Sequence, residues 1–410
     1  MDRRKLVKVQ TKNVKPRNIV LKEYNIGVKC RDYERELPDF LNSYFIYLKG
    51  NVLPMTRLAY LQDVTFFFEY LVTETNLTEA TVPRDVSLSD MNKIKANDVN
   101  FFLDYCRQYE KVHGNSVYVY ENGNRALARK KSSVSIMFKH LYREELIDKN
   151  ITDGFNPIRV PKAGEREIKA LQDNEVMIML DAVSTGQGLT KKELQYWEKT
   201  KKRDKAILIL FVTYGLRLSE LQQLNVSSFN FDREEFIIYR KRDKESAMPL
   251  NRSVAQVILD YINHERMDTE EDGLFLSLQG KRMSQRQIRE LVKKYTSISL
   301  KTSHKNGYSP HKLRATTATS LISRGNSIYD VQALLDHDQV TTTQLYAAHR
   351  ANVKRELIKG MEWEEDRVEG LADDENLVNP EDAPKVEDLS QDFVNNLASV
   401  GDLDDLDEKV

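Results

Sequence analysis

The chain has 410 residues, of which 40% are hydrophobic and 30% charged. This length allows two or three domains, each with its own core. The chain lacks the ~18-residue apolar run of a membrane span, and its N-terminus lacks the apolar stretch of a signal peptide. Its two cysteines fit neither a disulfide framework nor a zinc pattern. We expect a soluble, cytoplasmic protein with no membrane partner.

The net charge of −1 conceals a strong division along the chain. Residues 362–410 contain eighteen acidic and three basic residues, a net charge of −15. The remaining 59 Lys and Arg and 45 Asp and Glu give residues 1–361 a net charge of +14. A basic body with an acidic, disordered tail is common in proteins that bind a polyanion, although basic faces are often only solvated.

The first part of the chain predicts a basic arm over 1–32 and a helical domain over 33–155. The arm carries ten Lys or Arg against three acidic residues. No β-hairpin pattern is apparent before residue 155. Helical patterns are predicted in four segments: 35–50, 54–72, 96–112 and 125–147.

Several cations lie near the starts of these helices, where they oppose the helix macrodipole. Phosphate contact and a solvated surface explain them about equally well. The candidate DNA-binding residues are Arg57, Arg125, Arg129, Lys130 and Lys131, together with Lys162 of a proline-containing linker at 156–172.

A second domain is predicted over 173–361. It begins with a helix at 173–183, a charged insertion at 184–204 and a buried helix through Tyr214. Short strands with turns at 232–234 and 241–245 follow. The next two helices are predicted at 251–265 and 284–297. A third should begin after an N-cap at Ser309, with Pro310 at its first position and Gly325 past its end. A fourth should begin after Ser327, which has near-capping-box spacing to Asp330.

Four motifs in this second domain carry residues suited to phosphate chemistry. Each motif alone is more simply explained by an ion pair, a turn lysine or core packing. They are Arg217 with Glu220 in YGLRLSEL, Lys241 and Lys244 in YRKRDKESAMPL, His311 and Arg314 in HKLR, and His337 with Tyr346 nine residues later in LLDHDQVTTTQLYAAH.

In this order, the motifs resemble those of the tyrosine recombinase (phage integrase) family. The resemblance covers roughly 205–350, and the helical segments over 35–160 resemble the core-binding domain of that family. It implies a mainly α fold with a small β-hairpin sheet, in which a helical core-binding domain accompanies a mixed α/β catalytic domain. Together the two domains would clamp duplex DNA.

The family resemblance also implies a role for each motif residue. Tyr346 would attack the phosphorus, forming a 3′-phosphotyrosyl link and freeing a 5′-hydroxyl. Arg217 and Arg314 would stabilise the transition-state charge in place of a metal. The remaining roles are His311 as base, Lys241 as acid with Lys244 as a competitor, His337 as hydrogen-bond donor to the phosphate, and Glu220 as support. No ATP, Mg²⁺ or other cofactor is implied.

The sequence departs from the family pattern at three positions. Asp336 stands before the second histidine, where the family usually has a small residue. Ala315 follows the second arginine, where the family often has histidine. Arg242 replaces the usual glycine after Lys241, which indicates a less tight turn. Asp336 could raise the pKa of His337 and slow DNA approach, or point to solvent.

Three other functions were weighed. A metal site at Asp336-His337-Asp338 is disfavoured, because adjacent residues at a helix end point apart. A type IB topoisomerase would use the same catalytic residue types without choosing a DNA sequence. A DNA-binding regulator with a decayed site is disfavoured because every catalytic position is filled.

The resemblance further implies a homotetramer on two duplex DNA sites, with C-terminal segments exchanged between protomers. The candidate exchange segment is 353–366, and an accessory DNA-bending or directionality protein is a further expected partner. We expect a bacterial or phage context, a nucleoid-associated protein and a mobile-element role. The acidic tail is interpreted as passive disorder, or as a competitor of DNA for the basic body.

Overall fold

The computed structural model describes residues 15–160, 169–240 and 244–336, apart from the side chain of His113. The described part is mainly helical with small antiparallel sheets, which confirms the predicted fold class. No helix within it has the length and apolar character needed to cross a membrane.

The first part of the chain builds its own core around the apolar helix α3. Leu61, Phe67 and Phe68 of α3 are completely buried, and α6 packs against it through Val134 and Phe138. The elements are α1 (Arg17–Glu36), α2 (Asn42–Asn51), α3 (Pro54–Glu74), α4 (Leu88–Lys93), α5 (Ala96–Tyr105), β1 (Gln108–His113), β2 (Ser116–Glu121) and α6 (Asn124–Arg143).

Two predictions for this part are corrected. Residues 17–32 of the expected arm are helical, and Cys30 of this helix joins the first core, while Ile19 is also buried. Asn18 Nδ2 donates to the carbonyl of Gln223 at 3.1 Å. The region is not purely helical either. The helix predicted over 96–112 ends at Tyr105, and strands β1 and β2 form an antiparallel hairpin whose turn contains Gly114 with φ +61°.

The second part of the chain contains a three-stranded antiparallel sheet and eight further helices within the described residues. Its elements are α7 (Asp173–Thr185), α8 (Lys191–Trp197), α9 (Lys201–Tyr214), α10 (Leu218–Gln223), β3 (Phe229–Asn230), β4 (Glu235–Tyr239), β5 (Glu245–Pro249), α11 (Arg252–His264), α12 (Gln285–Ser299), α13 (Pro310–Ser323) and α14 (Ile328–Leu335). The strands follow the order β3-β4-β5, with Phe236 opposite Met248.

Helix α9 forms the centre of the second core. Its residues Ile207, Leu208 and Phe211 are completely buried, and α7, α11 and α13 all contact it. The helix boundaries follow their sequence signals: Pro310 begins α13 after Ser309, and Gly325 follows its end with φ +87°. The charged insertion is folded in part, since Trp197 of α8 donates its indole N–H to the carbonyl of Val183 at 2.8 Å.

A buried carboxylate links α3 to α6 in the first core. Asp63 is 2% exposed and accepts from Ser133 Oγ at 2.8 Å, from Lys130 Nζ at 3.3 Å and from Arg129. Lys130 is itself buried and lies 4.5 Å from the centre of the Phe66 ring. The lysine charge is therefore compensated inside the protein by Asp63.

Asp63→Asn should lower the free energy of unfolding by about 3–5 kcal/mol, because it leaves a buried cation without its counter-charge. Calorimetry of the full-length protein measures the change. The control is Asp104→Asn, which breaks an exposed pair with Arg107 (3.5 Å) and should change stability by less than about 1 kcal/mol. Equal effects of both variants would contradict this interpretation of Asp63.

Candidate active site

The site begins where α9 ends. Gly215 ends the helix in the left-handed conformation, with φ +58°. A β-carbon at this position would lie only 2.6 Å from Leu335 Cδ2. Glycine thus satisfies two requirements: it terminates α9 and lets the last residue of α14 approach its backbone closely.

Arg217 follows this turn and precedes α10. Its backbone N–H donates to Glu220 Oε2 at 2.8 Å, and its Nη1 donates to Glu220 Oε1 at 2.7 Å. Glu220 is 2% exposed, so one carboxylate fixes both the main chain and the guanidinium of Arg217. The structure brings together the pair that the sequence singled out.

Arg314 lies one turn after His311 on α13 and is 3% exposed. Its Nη1 donates to the carbonyl of Gly215 at 2.7 Å, and its Nη2 donates to the carbonyl of Leu335. Arg217 Nη2 donates to the next carbonyl, that of Asp336, at 2.7 Å. The two arginines are therefore neighbours, because they bind consecutive carbonyl groups.

His311 and both arginines line one cleft of about 360 Å³. His311 is exposed on the cleft side, yet its pKa is lowered, first by desolvation against the site wall and then by the charges of Arg314 and Arg217. A lowered pKa keeps the imidazole neutral at pH 7, which is the form that accepts a proton. The other lining residues are Leu216, Leu218, Ser219, Gln285, Arg289, Ser309 and Pro310.

Asp336 places a carboxylate beside Arg217 and Lys244. It caps α14 in the left-handed conformation, with φ +50°. Its Oδ2 lies 3.7 Å from Arg217 Nη1, and its Oδ1 lies 3.6 Å from Lys244 Nζ. The left-handed backbone explains why a small residue suits this position, and the carboxylate adds an anion beside Arg217 and Lys244.

Four of the predicted site residues lie outside the described residues: Lys162, Lys241, His337 and Tyr346. Lys244 is described and has a side chain 71% exposed. The candidate exchange segment over 353–366 and the acidic tail also fall outside the described ranges. The structure thus brings together Arg217, Glu220, His311 and Arg314.

The structure corrects two of the candidate DNA-binding residues. Lys130 is buried against Asp63, and Arg57 pairs with Glu34 with only 14% of its own side chain exposed. Both cations are neutralised within the fold, so neither is available to a phosphate.

The other three candidates differ in their surroundings. Arg129 is 44% exposed and also bonds to Asp63. Lys131 donates to the carbonyls of Phe155 and Asn156, at 3.2 and 2.8 Å. Arg125 is exposed in the first turn of α6, and it remains the candidate best placed for contact with a ligand.

Sequence reasoning missed two arginines near the cleft. Arg289 lines it from α12, one turn after Gln285, a spacing that puts both residues on one helix face. Arg240 follows β4 and is 7% exposed. The period of two along Phe236, Ile238 and Arg240 could have predicted that its side chain points inward.

Comparison with known proteins identifies relatives over most of the chain. The sequence model of the phage integrase family matches residues 169–352. The chain is 32% identical over 323 residues to tyrosine recombinase XerC of Caldanaerobacter subterraneus subsp. tengcongensis, covering 77% of this chain and 83% of that protein. It is 25% identical over 304 residues to XerC of Bacillus subtilis, covering 72% of this chain and 93% of the relative.

Solved structures share the fold at low sequence identity. A XerH site-specific recombinase bound to a palindromic difH substrate has a TM-score of 0.56 at 17% identity, covering 86% of this chain and 91% of that one. A Tn1549 transposon integrase in complex with circular intermediate DNA has a TM-score of 0.51 at 18% identity, covering 81% and 99%. The chain belongs to the tyrosine recombinase (phage integrase) family, and it is a site-specific recombinase that breaks and rejoins DNA.

Proposed function

We propose that this recombinase cuts one DNA strand with Tyr346 while Arg217 and Arg314 bind the scissile phosphate. One observation supports this most strongly: the guanidinium groups of Arg217, from the turn before α10, and Arg314, from α13, line one cleft together with His311, whose pKa is lowered. Guanidinium groups carry a permanent charge and a planar set of donors that match phosphate oxygens. Fixed cations of this kind stabilise a five-coordinate phosphorus without a metal ion.

The proposed step transfers the phosphorus from the 5′-oxygen of the DNA to the oxygen of Tyr346. The Tyr346 oxygen forms a bond to phosphorus as its proton passes to His311. The bond from phosphorus to the 5′-oxygen breaks, and that oxygen receives a proton from Lys241, with Lys244 as the alternative donor. His337 donates a hydrogen bond to a phosphate oxygen, and Glu220 holds Arg217. In the reverse reaction a 5′-hydroxyl loses its proton and attacks the phosphorus, the bond to the Tyr346 oxygen breaks, and the tyrosine regains a proton. One phosphoester replaces another, so no external energy source is needed.

We further propose an oligomeric state and a biological context for this recombinase. We place four copies on two duplex sites, with residues 353–366 exchanged between protomers and an accessory protein setting direction. The solved relatives include a dimer of lambda integrase on a core site and a transposon integrase on a circular DNA intermediate. They support DNA as the partner and a mobile element as the setting. A protein acting there would associate with the nucleoid.

Covalent trapping tests the nucleophile. Wild-type protein on a nicked duplex, chosen by selection from random-sequence DNA, should give a covalent band on a denaturing gel with or without EDTA. Tyr346→Phe should lose the band and keep its DNA affinity, because only the attacking oxygen is removed. The matched control, Tyr329→Phe, changes an exposed tyrosine on α14 (70% exposed) and should cleave normally.

Different outcomes would support other functions. A band that persists in Tyr346→Phe would show that the nucleophile is another residue. Relaxation of any supercoiled plasmid, without cleavage of selected sites, would support the topoisomerase activity. Tight binding without either reaction would support a regulator.

The pH profile of cleavage tests His311. As pH rises, the single-turnover rate should increase through a pKa below the ordinary value of 6.5 and then level off, because desolvation, Arg314 and Arg217 disfavour the protonated imidazole. His311→Ala should be slow and should lose this inflection. His264→Ala, at an exposed histidine of α11, should retain it. An inflection above 6.5 in the wild-type protein would contradict the assigned environment.

Asp336→Asn tests whether the carboxylate opposes DNA. Asparagine tolerates the left-handed backbone and removes the charge beside Arg217 and Lys244. We expect about two- to fivefold tighter DNA binding at low salt, as for a partly exposed ion pair. Asp330→Asn makes the same charge change at an exposed position of α14 and should have less effect in a gel-shift titration. Equal gains in DNA affinity from both variants would show that the effect depends only on the net charge of the protein.

A further inference from the structure

Arg240 is a buried arginine that has no part in the proposed chemistry. It directly follows β4, and its inward-facing neighbours on that strand are Phe236 and Ile238. Its backbone N–H donates to the carbonyl of Lys244 at 2.8 Å, across the turn between β4 and β5. Its Nη2 lies 3.3 Å from Met248 Sδ and donates to the carbonyl of Leu334 at 2.8 Å.

This hydrogen bond completes a set of three at the end of α14. The carbonyl of Leu334 accepts from Arg240, that of Leu335 from Arg314 and that of Asp336 from Arg217. The last carbonyls of a helix have no partner within the helix and carry the negative end of its dipole. Three cations from three separate elements therefore hold consecutive carbonyls of one helix end.

We propose that Arg240 is a positioning residue for strand cleavage: it fixes the end of α14, and Tyr346 lies eleven residues after Leu335, the last residue of that helix. This inference rests on the proposed function. Gly215 also restricts this helix end, because a β-carbon there would lie 2.6 Å from Leu335 Cδ2. The hydrogen bond from Arg240 and the close packing against the α9 turn together leave the helix end little freedom.

The burial of Arg240 argues for a role beyond filling space. Burial lowers its pKa, although Glu220 and Asp336 act in the opposite direction, so removing this guanidinium from water is unfavourable. An apolar side chain beside Met248 would avoid that penalty, although the Leu334 carbonyl would lose this donor. A positioning role predicts that the replacement leaves a stable protein with a slow reaction.

The test compares R240M and R240K with R282M in the full-length protein. Arg282 is the matched control: its side chain is 13% exposed, and it donates to the carbonyl of Leu224 at 2.9 Å, away from the cleft. Each variant is assayed for melting temperature, DNA affinity and single-turnover cleavage of the selected nicked duplex at saturating protein.

We expect R240M to cleave about 10²-fold more slowly, since small displacements of a reacting group have effects of this size, while its DNA affinity stays close to wild type. R240K retains a cation that can reach a carbonyl, so it should cleave about tenfold faster than R240M. R282M should change only the melting temperature. If R240M does not fold, an R240K protein with normal melting and about tenfold slower cleavage supports the proposal, and a wild-type rate overturns it.

A second substrate separates this role from an effect on the neighbouring lysines. Replacing the bridging 5′-oxygen with sulfur gives a leaving group that needs no acid. R240M should remain slow on this substrate by the same factor, because its defect lies on the side of the nucleophile. If R240M cleaved this substrate at the wild-type rate, Arg240 would act through the general acid that protonates the leaving oxygen, and the proposal would be overturned.

The remaining outcomes are distinguishable. A wild-type protein that forms no covalent adduct would overturn the proposed function and, with it, this inference. Wild-type and R240M proteins that cleave alike would overturn this inference alone. The same result follows if R240M and R282M lose cleavage in equal proportion to their loss of melting temperature.

Discussion

The last carbonyl groups of α14 need hydrogen-bond donors from outside the helix. The residues that supply these donors determine how the site is built. The last carbonyls of a helix cannot be satisfied from within it. Here Arg240, Arg314 and Arg217 supply the donors, from the end of a strand, from a buried helix and from a turn. Because these residues are far apart in sequence, one short helix end joins the sheet, the α9–α13 core and the cleft.

The three arginines differ in exposure, and the exposure of Arg217 lets it hold the helix end while it also faces the cleft. Arg314 and Arg240 are almost fully buried, whereas the side chain of Arg217 is 30% exposed and lies open to the cleft. A guanidinium has five N–H donors, so Arg217 can bond Glu220 and Asp336 and still offer donors to a phosphate. The same residue can thus hold the chain and bind the substrate, which lysine could not do with comparable geometry.

Sequence patterns predicted the second domain well because its signals are local. Pro310 after Ser309, Gly325 past the end of α13 and Ser327 before α14 each act within a few positions. The first domain was harder to predict. The charged surface of α1 concealed the spacing of its buried residues Ile19 and Cys30, and the strands of the hairpin expose Val112, Val117 and Val119, so no buried face marks them. The signal for the hairpin was the Gly114-Asn115 turn.

Basic residues show most clearly what sequence alone could not decide. Arg57 and Lys130 have the same formal charge as Arg289, yet Glu34 and Asp63 neutralise the first two inside the fold. Only tertiary contacts reveal which cations are already paired. Around the cleft, Arg217, Arg240, Arg289, Arg314 and Lys244 outnumber the carboxylates Glu220 and Asp336 among the described residues. The positive charge left over at the cleft, and not the total over residues 1–361, favours the phosphate binding that we propose for this site.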